Sequence, residues 1–251
     1  MRQPKKKNER ESLEPIQLVW LKAAYKFHTY AYRDPRSAFS SATGSPVVSP
    51  TTVLLGIVST LYSLGKREDA QEVMSVAHLC KVLVDAPNGV VFFRAFHQLR
   101  RYETNAMKTT KEKFKPNERI GLTLINQGTR EYGLVDGQTA IYVGVPANQS
   151  EPIKVALLNL GRLGTHDSMC SIMDTVETCD EPADIIYYAP EIWREKIPQG
   201  TTAVSLSRFK KSLSRQLEHW YLAGGDDTEI VAYFIKGRFE GTTRGKIYRK
   251  H

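Results

Sequence analysis

A stripe of apolar residues at helical spacing sets the framework of this 251-residue chain. Ser49 and Pro50 come directly before it, and these residue types suit the N-cap and the first position of a helix. The members recur every three or four residues, as one face of a helix requires: Val53, Leu54, Ile57, Val58, Leu61 and Leu64. Gly65 then predicts the end of the helix. Gly56 lies inside it at a cost of about 1 kcal/mol relative to alanine. Either a neighbouring backbone approaches closely at this position, or the helix simply tolerates the glycine.

Short runs of β-branched and aromatic residues around this helix predict strands. We expect strands at 16–27, 73–84, 90–96, 139–145, 168–176 and 184–188. Further helices are predicted at 150–160 and 209–221, and a closing hairpin is predicted from 230–235 and 246–248. The order strand, helix, strand, strand, helix, strand is typical of a ferredoxin-like α+β unit. Such a sheet carries helices on one face, and RNA-recognition modules bind RNA on the other.

The charge balance favours an anionic partner. Lysine and arginine number 35 against 27 acidic residues, which leaves a formal net charge of +8. Nucleic acid is therefore the partner that the composition favours. A membrane partner is not expected, because no uncharged run approaches the roughly 18 to 20 residues of a spanning helix.

The cysteines predict neither disulfides nor a zinc site. Cys80, Cys170 and Cys179 are odd in number, widely spaced and without a CxxC pair. With no apolar signal-peptide core near the N-terminus, the sequence favours a cytoplasmic protein without a metal or another cofactor.

The most informative stretch for function is residues 94–119. It contains eight lysines or arginines and three acidic residues, with Phe96, Tyr102 and Phe114 interleaved. Cations neutralise phosphates while aromatic rings stack on unpaired bases, so the stretch predicts an RNA-binding protrusion. A solvated charged excursion between two strands is the alternative. The candidate RNA-binding residues in and next to this stretch are Arg94, His97, Arg100, Arg101, Lys108, Lys111, Lys113, Lys115, Arg119 and Arg130.

A second candidate region joins the end of the first strand to the start of the first helix. The polar loop at 29–49 is long for a compact domain, and loops of that length tend to be functional or disordered. The N–H groups at the start of the following helix attract phosphate. The candidate residues here are Lys26, His28, Arg33, Arg36, Ser49, Thr51 and Thr52.

The sequence gives little sign of catalysis. The histidines are scattered, and no HExxH, GxSxG, Walker A or Rossmann pattern occurs. His166, Asp167 and Ser168 are adjacent in sequence, which does not make a triad. Metal-independent RNA cleavage with His28 or His97 as the base stays open as an alternative. The glycine-rich stretch 236–245 is either a phosphate-touching loop or a simple hairpin.

Four stretches resemble the Cas-five family of CRISPR-associated RAMP proteins, especially its type I-A-like members. Residues 49–56 (SPTTVLLG) resemble the family's Pro-Pro-Thr-Ala-Leu-x-Gly helix start. Residues 91–101 (VFFRAFHQLRR) and 129–135 (TREYGLV) resemble the strands that lead into and out of its thumb. Residues 160–168 (LGRLGTHDS) are similar to the turn after its second helix. The order and spacing of these motifs carry the resemblance over residues 16–176, and the chain beyond about 190 matches poorly.

The resemblance implies a domain organisation and a function. It implies a ferredoxin-like (RRM-like) RAMP palm domain at 14–190 with a basic thumb insertion at about 97–130. Outside the resemblance, the charged residues 1–13 predict a disordered basic tail, and we expect residues 191–251 to form a β-rich C-terminal extension that packs on the palm. Such a subunit binds the 5′ handle of the guide crRNA in a type I Cascade complex and caps the backbone filament.

Its implied neighbours are the backbone RAMP subunits and the large subunit, which it helps to position for target DNA recognition. One relative cleaves precursor RNA, but its arrangement of catalytic residues has no clear counterpart here, so we do not expect an enzyme. The alternatives are a metal-independent RAMP endoribonuclease that processes repeat RNA and a basic RNA-binding protein outside CRISPR systems.

Overall fold

The computed structural model describes residues 17–32, 34, 43–102, 123–165, 167–182, 186–188, 199–210, 227–242 and 245–251. The helices in these ranges are α1 (Pro50–Ser63), α2 (Arg67–Val76) and α3 (Ser150–Leu158). The strands are β1 (Leu18–Phe27), β2 (Lys81–Asp85), β3 (Gly89–Tyr102), β4 (Thr123–Asp136), β5 (Thr139–Pro146), β6 (Cys170–Ile172), β7 (Glu177–Cys179), β8 (Ile186–Tyr188), β9 (Thr201–Phe209), β10 (Thr228–Lys236), β11 (Arg238–Thr242) and β12 (Gly245–Arg249). They form three antiparallel sheets, so the predicted mixture of helices with antiparallel β-structure, the coarser part of the α+β prediction, is confirmed.

The first sheet has the strand order β2-β5-β1-β6, and β7 also pairs with β1. Helix α1 lies between β1 and β2 in the chain, and α3 lies between β5 and β6. Residues of β1 alternate in burial, and Leu21, Ala23 and Tyr25 point into the core. The Tyr25 hydroxyl donates to the backbone oxygen of Leu157 on α3 at 2.7 Å, which places this face against the helices.

The apolar stripe of α1 is buried as the periodicity predicts, except at its end, where Leu64 is exposed. The structure also explains why a glycine, Gly56, lies inside the helix. A Cβ atom on Gly56 would lie 3.2 Å from Cδ2 of Leu163, whereas the nearest backbone atom, the Arg162 oxygen, is 4.0 Å away. The close neighbour is therefore a side chain, not the backbone that we expected.

We had expected the opposite face of the first sheet to be free for RNA, but part of it is buried. Trp20 and Ala140 point to that side and are only 5% and 9% exposed. The indole of Trp20 lies against Gly144, where a Cβ atom would be 2.9 Å from the ring. An aromatic ring that is buried in this way offers no surface on which an RNA base could stack.

The second sheet, β8-β10-β9, covers the beginning of α1. The Ser49 hydroxyl accepts a bond from the Ser207 backbone N–H on β9 at 2.9 Å. The Thr51 hydroxyl donates to the Ser207 backbone oxygen at 3.2 Å. Strands from the end of the chain thus pack on a helix that begins about 150 residues earlier.

The third sheet, β11-β12-β3-β4, holds a long hairpin. Strands β3 and β4 pair from Gly89 and Asp136 at the base to Tyr102 and Thr123. We call β3, β4 and the connecting residues 103–122 the basic hairpin. The connecting residues lie outside the described part of the chain. The predicted tail at 1–13 and the region 211–226, which covers most of the predicted late helix, lie outside it as well.

Two secondary-structure predictions are wrong. The predicted strand at 73–84 is the end of α2 followed by β2, because Ala70, Val73 and Met74 bury one helical face. The predicted closing hairpin does not form: β10 pairs with β8 and β9, while β12 pairs with β11 and β3. Alternating apolar residues identified these strands correctly but carry no information about their partners.

Candidate nucleic-acid interface

The base of the basic hairpin is fixed to the loop that follows β1. The Gly133 backbone N–H donates to the Tyr30 oxygen at 2.7 Å. The buried Tyr30 hydroxyl in turn donates to the Ser45 backbone oxygen at 2.7 Å. A Cβ atom on Gly133 would lie 2.8 Å from Val90 Cγ1 and 2.9 Å from Tyr30 Cδ1, so only glycine fits between them without displacement.

A buried carboxylate ties three parts of the chain together at this base. Glu131, whose side chain is 8% exposed, accepts a bond from the Gly44 backbone N–H at 2.7 Å. Its carboxylate oxygens lie 3.4 Å from Lys246 Nζ and 3.6 Å from Arg94 Nε. Lys246 Nζ also donates to the Gly44 oxygen at 2.7 Å and lies 4.7 Å from the centre of the Phe92 ring. Burial lowers the pKa of Lys246, and the charge of Glu131 opposes this shift.

Replacing Glu131 by glutamine should reduce the free energy of unfolding by about 1 to 3 kcal/mol. The amide keeps an acceptor for Gly44 but leaves the partly buried ammonium of Lys246 without its counter-charge. Urea denaturation followed by circular dichroism measures the change. Glu177→Gln is the matched control, since that carboxylate is exposed and lies 3.8 Å from Lys22. Equal stabilities of the two variants would show that the Glu131 cluster contributes nothing.

A second cluster joins the basic hairpin to the turn after α3. Arg130 Nη1 lies 3.2 Å from Asp167 Oδ2, and the Tyr132 hydroxyl donates to the same oxygen at 3.0 Å. Burial raises the pKa of Tyr132, and its bond to Asp167 adds to the shift. Phe93 stacks on Tyr132 with ring centres 6.1 Å apart. The ring of Phe93 is partly exposed, so this pair presents aromatic surface next to a cation.

A predicted RNA-binding cation and an aromatic residue that lies between such cations are exposed on the basic hairpin. The Arg94 side chain is 69% exposed although it lies beside Glu131. Phe96 is also 69% exposed. His97, Arg100 and Arg101 lie further along β3. Exposed cations and rings on one hairpin are the combination that binds unpaired nucleotides.

At the end of β1, the predicted residues Lys26 and His28 are exposed. His28 Nε2 lies 2.9 Å from the Ser171 hydroxyl of β6, and Ser171 is the residue that pairs with Lys26 across the two strands. Both groups are accessible to a ligand. The other predicted residues of this region, Arg33 and Arg36, lie outside the described residues, as do Lys108, Lys111, Lys113, Lys115 and Arg119 in the basic hairpin.

The predicted phosphate site at the start of α1 is not supported by the structure. Ser49 and Thr51 are buried, and their hydroxyls bond to Tyr32 and to Ser207. Thr52 is half-buried and donates to the Tyr32 hydroxyl at 3.3 Å. Ser49 occupies the predicted N-cap position, but its side chain makes no capping bond. Packing of β9 over the first turn closes this helix end to a ligand.

Asp167 and Ser168, which follow His166 in the sequence, point to different places. Ser168 is buried and accepts a bond from the Ala31 backbone N–H at 2.9 Å, whereas Asp167 contacts the basic hairpin. The side chains of Asp167 and Ser168 therefore do not meet at one site.

In the described part of the chain, no group of three His, Cys, Asp or Glu side chains is placed to hold a metal ion. Burial raises the pKa of the Cys80 and Cys170 thiols to about 12, so both stay protonated at neutral pH. None of the helices that the structure describes combines the length and apolarity of a membrane span.

Sequence reasoning missed Glu131, Asp167 and Lys246, which organise the interface without forming a motif. The first two lie inside stretches that carry the family resemblance, and the adjacency of Glu131 to Arg130 would have been a usable signal for one of them. Lys246 gave no such signal, because Glu131 and Gly44, to which its ammonium binds, lie more than a hundred residues away in the sequence.

The solved structures that match this chain include the following two. A CRISPR protein from Archaeoglobus fulgidus matches with a TM-score of 0.41 and 12% identity, and the match covers 93% of this chain and 92% of that one. The Csm3–Csm4 subcomplex of the type III-A CRISPR-Cas interference complex matches with a TM-score of 0.34 and 7% identity, with the same coverage. No protein-family model and no curated protein matches the sequence.

Proposed function

We propose that this chain is a non-catalytic RAMP subunit of a CRISPR effector complex and that it binds the 5′ handle of the guide crRNA. The observation that carries the proposal is the basic hairpin: eight cations in residues 94–119, carried on and between two paired strands whose base is fixed to the β1–α1 loop. In a type I Cascade, it would cap the filament of backbone subunits and help to position the large subunit for target DNA recognition.

In this proposal the first sheet is the ferredoxin-like palm. The order β2-β5-β1-β6, with α1 after β1 and α3 after β5, supports this assignment. The basic hairpin would then be the thumb, because it is inserted between β2 and β5, two neighbouring strands of the palm. The four sequence stretches that resemble the Cas-five family supply the link to CRISPR systems.

The exposed groups fit a single-stranded ligand. Arg94 and the lysines of residues 103–122 would neutralise phosphates, while Phe93 and Phe96 would stack on bases. Each stacked base contributes about 1 to 3 kcal/mol. Lys26 and His28 at the end of β1 would extend the contact beyond the hairpin.

We expect a pure, metal-free preparation to bind labelled single-stranded repeat RNA more tightly than a scrambled RNA of equal length. A denaturing gel on the same samples should show intact RNA. The preference reflects recognition of handle bases, since both RNAs offer the same phosphates.

Equal affinity for both RNAs would contradict handle recognition and favour a general RNA-binding protein. A discrete cut in the repeat that is lost in His28→Ala would instead establish the metal-independent endoribonuclease. In the non-catalytic subunit, His28→Ala would weaken binding at most and release no fragment.

A further inference from the structure

The outer face of the third sheet is apolar at positions where a face turned to solvent is usually polar. Val90 and Phe92 of β3 point into the core and are 0% and 2% exposed. An antiparallel sheet that covers a core on one side normally alternates apolar and polar residues along each strand. Here the alternate residues, Val91 and Phe93, are apolar as well, and they are 44% and 40% exposed. The base of β3 is therefore apolar on both faces, although only one face meets the core.

Three apolar side chains lie in one row across this outer face. Val91 pairs with Ile247 of β12 on one side and with Leu134 of β4 on the other, so the three side chains share a face. Leu134 is 63% exposed, and Ile247 is half-buried. We call Ile247, Val91, Leu134 and the adjoining Phe93 the outer apolar patch. Adjoining apolar side chains that are exposed in this way mark an interaction surface.

The centre of the outer apolar patch does not suit nucleic acid. Val91, Leu134 and Ile247 are aliphatic, so they provide neither a flat ring for a base nor a charge for a phosphate. Glu240 of β11 pairs with Ile247 at the end of the row, and its carboxylate repels phosphate. The chemistry of the patch therefore favours a protein surface that also carries apolar side chains.

The outer face is complementary to itself about the row Ile247, Val91 and Leu134. One neighbouring row consists of Arg249, Gly89 and Asp136, and the other consists of Gly245, Phe93 and Tyr132. A second copy that is related by a two-fold axis along the central row would place each of these rows over the other. Packed sheets lie about 10 Å apart, so the side chains of the two copies would meet between them.

In this arrangement large side chains face glycines. Phe93 of one copy lies over Gly89 of the other, and Arg249 lies over Gly245, because the register aligns them across the axis. The exposed Asp136 comes to lie over Tyr132 of the other copy, and the next outward residue of that strand is Arg130. Leu134 meets Leu134 at the axis itself. An isologous interface requires such a face, in which one patch fits its own copy in shape and in charge.

The same axis keeps most of the positive charge of the two copies apart. It runs across the strands, so the two basic hairpins extend from the interface in opposite directions. Glu240 meets its own copy, but each carboxylate is flanked by Arg238 at 3.0 Å and Arg249 at 3.3 Å. The net charge of +8 on each chain opposes association, and salt screens this long-range repulsion.

We infer that a second copy of this chain docks on the outer apolar patch, so that the free protein forms a two-fold symmetric dimer through its third sheet. This goes beyond the proposed function and does not depend on it. One consequence does rest on that function: the dimer covers Phe93, so RNA that stacks on Phe93 competes with the second copy.

Sedimentation equilibrium of the pure protein without RNA, at several protein and salt concentrations, tests the inference. We expect a monomer–dimer equilibrium that shifts toward the dimer as salt rises, because the centre of the interface is apolar and the repulsion is screened. Leu134→Asp should weaken self-association by about a hundredfold or more, since two carboxylates then meet at the axis. Ile230→Asp is the control, because Ile230 is 51% exposed on β10, outside the patch.

Two results of this experiment would overturn the inference. One is equal self-association of Leu134→Asp and Ile230→Asp. The other is a wild-type protein that stays monomeric throughout, which would leave a different protein as the occupant of the outer apolar patch.

A mixture of two variants tests the two-fold arrangement. Leu134→Asp and Leu134→Lys should each be monomeric alone, because like charges meet at the axis. Mixed in equal amounts they should form a heterodimer, because a carboxylate then faces an ammonium group. Circular dichroism spectra that match the wild-type spectrum would show that both variants fold. Folded variants that stay monomeric in the mixture would overturn the arrangement.

The outcome is separable from that of the proposed function. The sedimentation experiments contain no RNA, so a dimer that is lost in Leu134→Asp would establish the interface even if the protein did not distinguish repeat RNA from scrambled RNA. Selective binding of repeat RNA by a protein that is monomeric without RNA would leave the proposed function in place and remove the dimer.

Discussion

Gly133→Ala should lower the free energy of unfolding by about 2 to 3 kcal/mol, because the methyl group of the alanine would clash with its neighbours. It would lie within 3 Å of both Val90 and Tyr30. Neither neighbour can easily move away: Val90 is buried on β3, and the Tyr30 hydroxyl is held by Ser45. The substitution also strains the bond between the Gly133 N–H and the Tyr30 oxygen, so the base of the basic hairpin and the loop beyond β1 should separate.

Thermal unfolding followed by circular dichroism measures this effect, with an expected fall in Tm of about 5 to 10 °C. Gly161→Ala is the matched control, since a Cβ atom there meets nothing within 4 Å. That variant should be neutral or more stable by a few tenths of a kcal/mol, because alanine restricts the unfolded chain. If the two variants unfolded at the same temperature, the close packing described at Gly133 would be incorrect.

Local patterns predicted the elements whose signal lies within a few residues. The spacing of apolar residues located α1, and alternation located β1 and β5 almost to the residue. Helix α2 was missed because its buried face rests on only three residues, Ala70, Val73 and Met74, and it runs almost directly into β2. In such a short window, the spacings of helix and strand are hard to separate.

Contacts between distant parts of the chain could not be predicted. Strand β12 pairs with β3, which lies about 150 residues earlier, and β9 covers the start of α1. The sequence of β9 contains no signal for its contact with α1. This contact buries Ser49 and Thr51. Tertiary packing, and not local chemistry, is therefore what buries the helix end at which the phosphate site is predicted.

The residues of the candidate site also fall into two groups, those that the sequence predicted and those that it did not. Charge and aromatic content along the sequence selected Arg94, Arg130 and Phe96, which are exposed or half-exposed on the basic hairpin. The carboxylates that position the two arginines, Glu131 and Asp167, were not selected. Their role depends on which strands and turns become neighbours, and only the folded chain fixes that.

The largest effect on RNA binding is expected from charge reversal at the lysines of the basic hairpin. Changing Lys111, Lys113 and Lys115 together to glutamate should weaken binding of single-stranded repeat RNA by orders of magnitude at low salt. If each lysine contacts one phosphate, the slope of log K against log salt should fall by about 0.7 for each, or by about 2 in total. Titrations at several salt concentrations measure both quantities.

A triple variant with the same charge change elsewhere separates contact from overall charge. Lys66, Lys81 and Lys236 are exposed and lie outside the basic hairpin, so their reversal should change the slope little. The net charge of the protein falls from +8 to +2 in either variant, since three substitutions remove two charges each. Long-range attraction is then reduced to a similar extent in both, and the difference between them reports phosphate contacts made by the hairpin. An unchanged slope in the Lys111, Lys113 and Lys115 variant would remove the basic hairpin from the RNA interface and leave the exposed end of β1 as the remaining candidate.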